Sequence, residues 1–341
     1  MDPIATRPLG KSGVPVTQLG FGGAPLGDFY QKLPDGQATQ TMARALELGV
    51  TLVDTSPLYG FGLSEHRFGQ VLRQRPRDSY VLSTKVGRVF EPPKRGAAVD
   101  HGGWAGGLEF NPVYDYSYDG AMRAFEQSLM RLGIPHVDIL LIHDVDIWTH
   151  GSRDAYEQRL KEALAGAYKA LLRLREEGVV KAIGVGVNEV ESCMRFAEGG
   201  DFDCFLLAGR YTLLEQTALD EFLPLCQRRD IGIMLGGPYN SGILATGAVP
   251  GAKYNYADAP KEILERVARI EAVCKRHGVA LPAAAIQFPL AHPVVASMIP
   301  GAVKPEEVER NHALIATPIP AEFWVELKRE GLVREDAPVP G

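Results

Sequence analysis

The feature that most constrains this chain is a beat. Short apolar, β-branched runs alternate with helical patterns along nearly all of its 341 residues. The strand-like runs are Gln18–Ala24 and about 51–54, 80–85, 137–143, 182–187, 203–208, 231–236 and 295–299. Apolar runs this short, bounded by turn residues, fit strands buried on both faces of a parallel sheet. Helical spacing fills the gaps, as in Ala38–Leu48, Tyr118–Arg131, Gln158–Glu177, Glu189–Glu198, Leu219–Arg229 and Pro260–His277. Eight strands alternating with helices predict an α/β fold, a (β/α)8 TIM barrel, formed by residues 1–341 as a single domain. A doubly wound sheet would want a GxGxxG turn near the start, and Phe21-Gly-Gly-Ala lacks that spacing.

Composition narrows the function classes. Hydrophobic residues make up 45% of the chain and charged residues 23%, ordinary values for a soluble globular protein. A net charge of −6 without a basic run argues against nucleic acid as partner. Met1-Asp-Pro-Ile is no signal pattern, and no apolar run has membrane-spanning length. Cys193, Cys204, Cys226 and Cys274 are scattered, as reduced thiols of a cytoplasmic protein would be.

The chemistry concentrates in Gly49–Gly69. A strand at Val50–Val53 stops at Asp54, and a loop with Tyr59, Gly60 and Gly62 follows. Ser64 is placed to cap the next helix, with Glu65 in its first turn. Two further runs end on ionisable residues, Ser79–Val86 carrying Lys85 and Val137–Asp144 carrying His143. Taken singly, Asp54 with Lys85 reads as a structural ion pair, Tyr59 as packing, and His143 with Asp144 and Asp146 as a fragment of a metal site. The other histidines lack ligand spacing, so no metal is expected.

Together, these strand ends resemble the catalytic tetrad of the aldo-keto reductases, and the resemblance runs from about Arg7 to Asn311. It implies that Asp54 holds Lys85, that Lys85 lowers the pKa of Tyr59 so that the phenol can exchange a proton, and that His143 orients the substrate oxygen. A tyrosine ionising near ~10 otherwise makes a poor base at neutral pH. The family also implies that the hairpin read over residues 7–18, around Gly10-Lys-Ser-Gly13, plugs the lower mouth of the barrel. Long loops then lie at the C-terminal face of the strands.

The same resemblance assigns a nicotinamide cofactor. Ser297–Asn311 matches the adenosine-binding segment, with Gly301 and Ala302 against the phosphates and Glu307 and Asn311 beside the adenine ribose. Gly237–Gly247, including Pro238, Tyr239, Asn240, Ser241 and Gly242, suits a loop over a pyrophosphate. Gly22 permits close backbone approach, and Asn188 is placed for the carboxamide. Two usual positions differ: Ala208 stands near the usual glutamine, and Gly236 stands where a tyrosine often stacks. Glu307, at a position often basic in NADP-preferring members, would repel a 2′-phosphate and accept a bond from a free ribose hydroxyl. NAD is therefore the expected cofactor, with Lys304 as the residue that would admit NADP.

Three segments, Trp104-Ala-Gly-Gly-Leu, Tyr114–Gly120 and His143–Asp146, most resemble the bacterial aldose 1-dehydrogenase branch, of L-fucose and D-threo-aldose type. Pyridoxal 4-dehydrogenases share that branch. The implied substrate is a sugar whose hemiacetal is oxidised to a lactone, with pyridoxal as the alternative; aldehyde reduction and a cofactor-sensing regulatory role are further ones. The insert Arg88–Asp119 is expected to cover the substrate. Trp104 and Phe110 would offer faces to it, and Asp144, Asp146 and His101 would meet its hydroxyls.

Overall fold

The computed structural model describes the whole chain, Met1–Gly341. At its centre lie eight strands: β1 (Phe21–Gly22), β2 (Leu52–Asp54), β3 (Val81–Val86), β4 (Ile139–His143), β5 (Ala182–Val187), β6 (Cys204–Ala208), β7 (Gly232–Gly236) and β8 (Val295–Ile299). Each pairs in parallel with the next in chain order. The last returns to the first, since Leu19 bridges Met298 and Gly22 bridges Gly301. Met298 N–H donates to Gln18 O at 2.8 Å across that seam. The expected barrel is thus present, and closure leaves no strand edge unpaired.

Two apolar cores hold the barrel. A larger one, including Val53, Leu82, Leu140, Val185 and Leu207, fills the space between strands and surrounding helices. A smaller one inside the barrel joins Leu52, Ile139, Leu141 and Met234 to Leu9, Val14 and Val16 of the N-terminal hairpin. That hairpin pairs Thr6–Pro8 with Pro15–Thr17. Its tip needs glycine at Gly10, where φ is +52° and a Cβ would sit 2.4 Å from Gly232 N. The hairpin therefore seats against the start of β7 and plugs that mouth.

The structure departs from the pattern in two helices. The single helix expected over Gln158–Glu177 is two, Arg153–Ala165 and Ala167–Glu176. The break falls at Gly166, where a Cβ would come within 2.7 Å of the Tyr116 carbonyl, and Ala167 N–H donates to that same carbonyl at 2.8 Å. Ser64 does not cap its helix. Leu63–Leu72 starts after Gly62, and the buried Ser64 hydroxyl donates to Gly23 O at 2.9 Å. Glu65 does stand in the first turn, buried and bonded to Thr84 and Arg131.

Candidate active site

Asp54, Lys85 and His143 come from the C-terminal ends of three adjacent strands, so parallel pairing alone brings them to one face. Tyr59 reaches them from the loop after β2. That loop is held by backbone contact: a Cβ on Gly27 would lie 2.4 Å from the Tyr59 carbonyl carbon, and Gly60 turns away at φ +62°.

The Lys85 ammonium spends all three donors. It donates to Asp54 Oδ2 at 2.7 Å, to Thr55 O at 2.8 Å and to the Tyr59 hydroxyl at 3.2 Å. The other Asp54 oxygen accepts from Ser83 Oγ at 2.8 Å. Lys85 and Asp54 are almost wholly buried, at 1% and 2% exposure. Burial raises the Asp54 carboxyl above its usual range, while Lys85 and Ser83 draw it back down. Burial also pushes the Tyr59 phenol well above its ordinary value, with Asp54 and Asp144 acting the same way and Arg88 opposing. The lowering expected from Lys85 does not prevail. Asp54 neutralises that ammonium at 2.7 Å, so the pair presents little net charge to the phenol and desolvation wins.

His143 Nδ1 lies 3.0 Å from Ser56 Oγ and 3.3 Å from Arg88 Nη1, and Nε2 lies 3.3 Å from Asp144 Oδ1. Burial, then Lys85 and Arg88, holds this imidazole well below its ordinary pKa, so it is neutral.

Above Tyr59, Lys85 and His143 opens a cavity of about 440 Å³. Its wall is aromatic, made by Phe29, Tyr30, Trp104, Trp148 and Tyr256. Trp104 sits 5.8 Å from the Tyr59 ring and 4.8 Å from Phe29, between centroids. Trp148 stacks on Tyr256 at 5.3 Å across the rim. Asp144 also lines the cavity, with one oxygen bonded to Arg88 at 2.8 Å. Three residues expected here lie elsewhere. Phe110 faces a separate surface groove with Phe61, Phe90 and Met130, because the insert folds back as an antiparallel pair, Arg88–Glu91 with Asn111–Tyr114. His101 stacks on Phe61 at 5.1 Å. Asp146 is fully buried, capping the helix Ile147–His150 through Thr149 N–H and accepting from Asn188 N–H.

A cleft of about 470 Å³ continues from this cavity across the barrel mouth. Gly22, Asn188, Pro238, Tyr239, Asn240, Ser241, Gly242, Gly301, Glu307 and Asn311 all line it. So do Ala208 and Gly236. Ala302 does not; it is buried in the core behind the cleft, near Ala45 and Val308. Lys304 is exposed at the N-terminus of the helix Pro305–Ala316, outside the lining. Arg210 and Arg310 do line it, although no pattern pointed to them. The cleft fits an anionic dinucleotide. It brings two guanidinium residues, and the buried Asn240 has an Oδ1 without a hydrogen-bond partner. Asn240 and Ser241 hold left-handed φ of 44° and 61°, a strain of about 1–3 kcal/mol each that tends to accumulate at ligand sites. Asn311 Oδ1 accepts from the Tyr239 hydroxyl at 2.8 Å, tying the two sides together. The Glu307 carboxylate accepts from Val303 N–H at 2.8 Å, which fixes it at the helix start.

A barrel closed by these strands, with an aspartate, tyrosine, lysine and histidine converging at its mouth, places the chain in a known class. Residues 18–330 match the aldo/keto reductase family. The chain belongs to that family and is an NAD(P)-dependent oxidoreductase. Over 335 residues it is 41% identical to a pyridoxal 4-dehydrogenase from Microbacterium luteolum, covering 96% of this chain and 97% of that one. It is 37% identical over 335 residues to a D-threo-aldose 1-dehydrogenase from a Pseudomonas species, covering 96% and 98%. An aldo-keto reductase from Bacillus halodurans in its holo form superposes with a TM-score of 0.75 at 24% identity, over 99% of this chain and 98% of that one, a likeness of fold.

Proposed function

We propose that this chain, working as one domain, oxidises a cyclic hemiacetal carbon to a lactone with NAD, and that pyridoxal suits its cavity better than an aldose. The observation that carries this is the aromatic wall of Phe29, Trp104, Trp148 and Tyr256. A flat pyridine ring stacks on such a wall, whereas a sugar needs several convergent hydrogen-bonding groups. Two residues expected to serve sugar hydroxyls, Asp146 and His101, are engaged elsewhere. An aldose remains the second reading, favoured by Asp144 at the cavity wall and by the 37% identity to an aldose dehydrogenase.

A nicotinamide dinucleotide held by the cleft residues Asn188, Tyr239, Asn240, Gly301 and Asn311 would supply the hydride acceptor. The chain's residues handle the proton. The substrate hydroxyl donates to Tyr59, while His143 Nε2–H donates to the same oxygen and fixes its direction. Lys85 holds the Tyr59 oxygen at 3.2 Å, and Asp54 holds Lys85. In the reverse direction the protonated phenol is the acid. Glu307 at the cleft, with Lys304 outside it, supports NAD over NADP.

The test is a panel of pyridoxal, L-fucose, D-arabinose and L-galactose, each with NAD and with NADP, followed by reduced-nicotinamide absorbance. The highest kcat/KM is expected for pyridoxal with NAD. A sugar ahead of pyridoxal would transfer the assignment to the aldoses, and a tenfold preference for NADP would overturn the cofactor reading.

A further inference from the structure

We infer that Arg88 is a positioning residue that fixes the tautomer of His143, leaving the proton on Nε2 and the ring aimed into the cavity. This rests on the tetrad reading above and adds to it a residue outside the tetrad. Arg88 follows Lys85 by three positions and is 5% exposed, at the base of the insert.

A guanidinium only donates, and it has no accessible neutral form. Arg88 Nη1 lies 3.3 Å from His143 Nδ1. A proton on Nδ1 would face that donor, so Nδ1 must offer its lone pair and Nε2 must carry the hydrogen. Ser56 Oγ, 3.0 Å from the same nitrogen, adopts either role and so cannot set the tautomer alone. The other arm of the fork, Nη2, bonds Asp144 Oδ2 at 2.8 Å and Tyr114 OH at 3.1 Å. Asp144 in turn presents Oδ1 to Nε2 at 3.3 Å. One guanidinium therefore meets Nδ1 directly and anchors the carboxylate beside Nε2, which makes no hydrogen bond to that nitrogen and leaves its N–H to the cavity. The Tyr116 hydroxyl pins the backbone below, donating to His143 O at 2.8 Å.

The groups facing this ring are Lys85 on β3, Tyr59 on its loop, Arg88 and Tyr116 on the insert, and Asp144 beside it. The cations oppose an imidazolium, and Asp144 would favour one if it were released. Losing Arg88 therefore removes a cation and frees a carboxylate, and both changes favour protonation of His143.

Ring-nitrogen NMR of ¹⁵N-histidine-labelled wild-type protein, with His143 assigned by its loss in His143→Asn, tests this directly. Near neutral pH, Nε2 should be protonated and Nδ1 bare; a protonated Nδ1 would overturn the inference. In Arg88→Met, kcat should fall roughly 10²-fold with the KM for NAD unchanged, and the acid limb of kcat/KM should move to higher pH. Arg88→Lys, which restores charge without the fork, should recover only part of kcat, and it serves as the reading if Arg88→Met does not fold. An Arg88→Lys enzyme with wild-type kcat and an unmoved acid limb would also overturn the inference. The tetrad reading fails separately, through a Tyr59→Phe enzyme that keeps its rate, so the two failures are distinguishable.

Discussion

The floor and the rim of the cavity are built by opposite means. On the floor, Asp54, Lys85 and His143 stand on strand ends, and every donor of Lys85 is spent on a named partner. On the rim, Phe29 and Tyr30 share one loop, Trp104 and Tyr256 stand on two others, Trp148 lies on the short helix Ile147–His150, and they meet mainly through ring contacts. Tyr30 and Trp148 are 64% and 57% exposed, whereas Lys85 is 1% exposed. Strand ends cannot move without breaking the barrel, so they suit chemistry that tolerates little displacement. Loop aromatics can be exchanged without touching the sheet, so they suit the choice of substrate.

Substitutions on the floor should therefore cost far more than substitutions on the rim. Lys85→Met should have the largest effect, because it leaves Asp54 buried without its cation. The expected loss is about 3–5 kcal/mol of stability, measured by denaturant unfolding, together with near-abolition of turnover. Trp104→Ala should leave the fold intact and lower kcat/KM for pyridoxal by roughly 10- to 200-fold, with a smaller loss for a sugar. Equal losses on both substrates would remove the distinction between aromatic wall and floor. Phe110→Ala should change neither constant measurably, since its side chain faces another groove; a tenfold rise in KM would bring the insert tip back into the site.

The floor was legible in the sequence because it depends on strand ends. A run such as Val50–Val53 stopping at Asp54 fixes both position and direction, and parallel pairing then brings Lys85 and His143 alongside. The rim was mostly illegible, because which loop aromatics converge depends on how each loop folds back. Trp104 and Phe110 sit six residues apart in one insert. The pairing of Arg88–Glu91 with Asn111–Tyr114 sends them to different cavities. Phe29, Trp148 and Tyr256 lie in stretches with no shared pattern. Arg88 had a readable sign, a charge just beyond a buried strand, but its partners His143 and Asp144 are more than fifty positions away. The barrel itself followed from the beat, and Gly166 broke a helix only because the backbone at Tyr116 passes too close for a side chain.

Electrostatics corrects the expectation about Tyr59. With Lys85 neutralised by Asp54 and the phenol buried, the hydroxyl stays protonated through neutral pH. If Tyr59 is the proton partner, reduction uses the protonated form and should be nearly flat with pH around neutrality. Oxidation would then use the phenolate and should keep accelerating into the alkaline range.

The most direct test is the first turnover of Tyr59→Phe saturated with NAD and mixed with pyridoxal, read as reduced nicotinamide. If Tyr59 is the proton partner, the rate falls by roughly 10²–10⁴, the alkaline rise disappears, and NAD binds as tightly as before. A first turnover close to wild type, with the alkaline rise intact, would contradict the account.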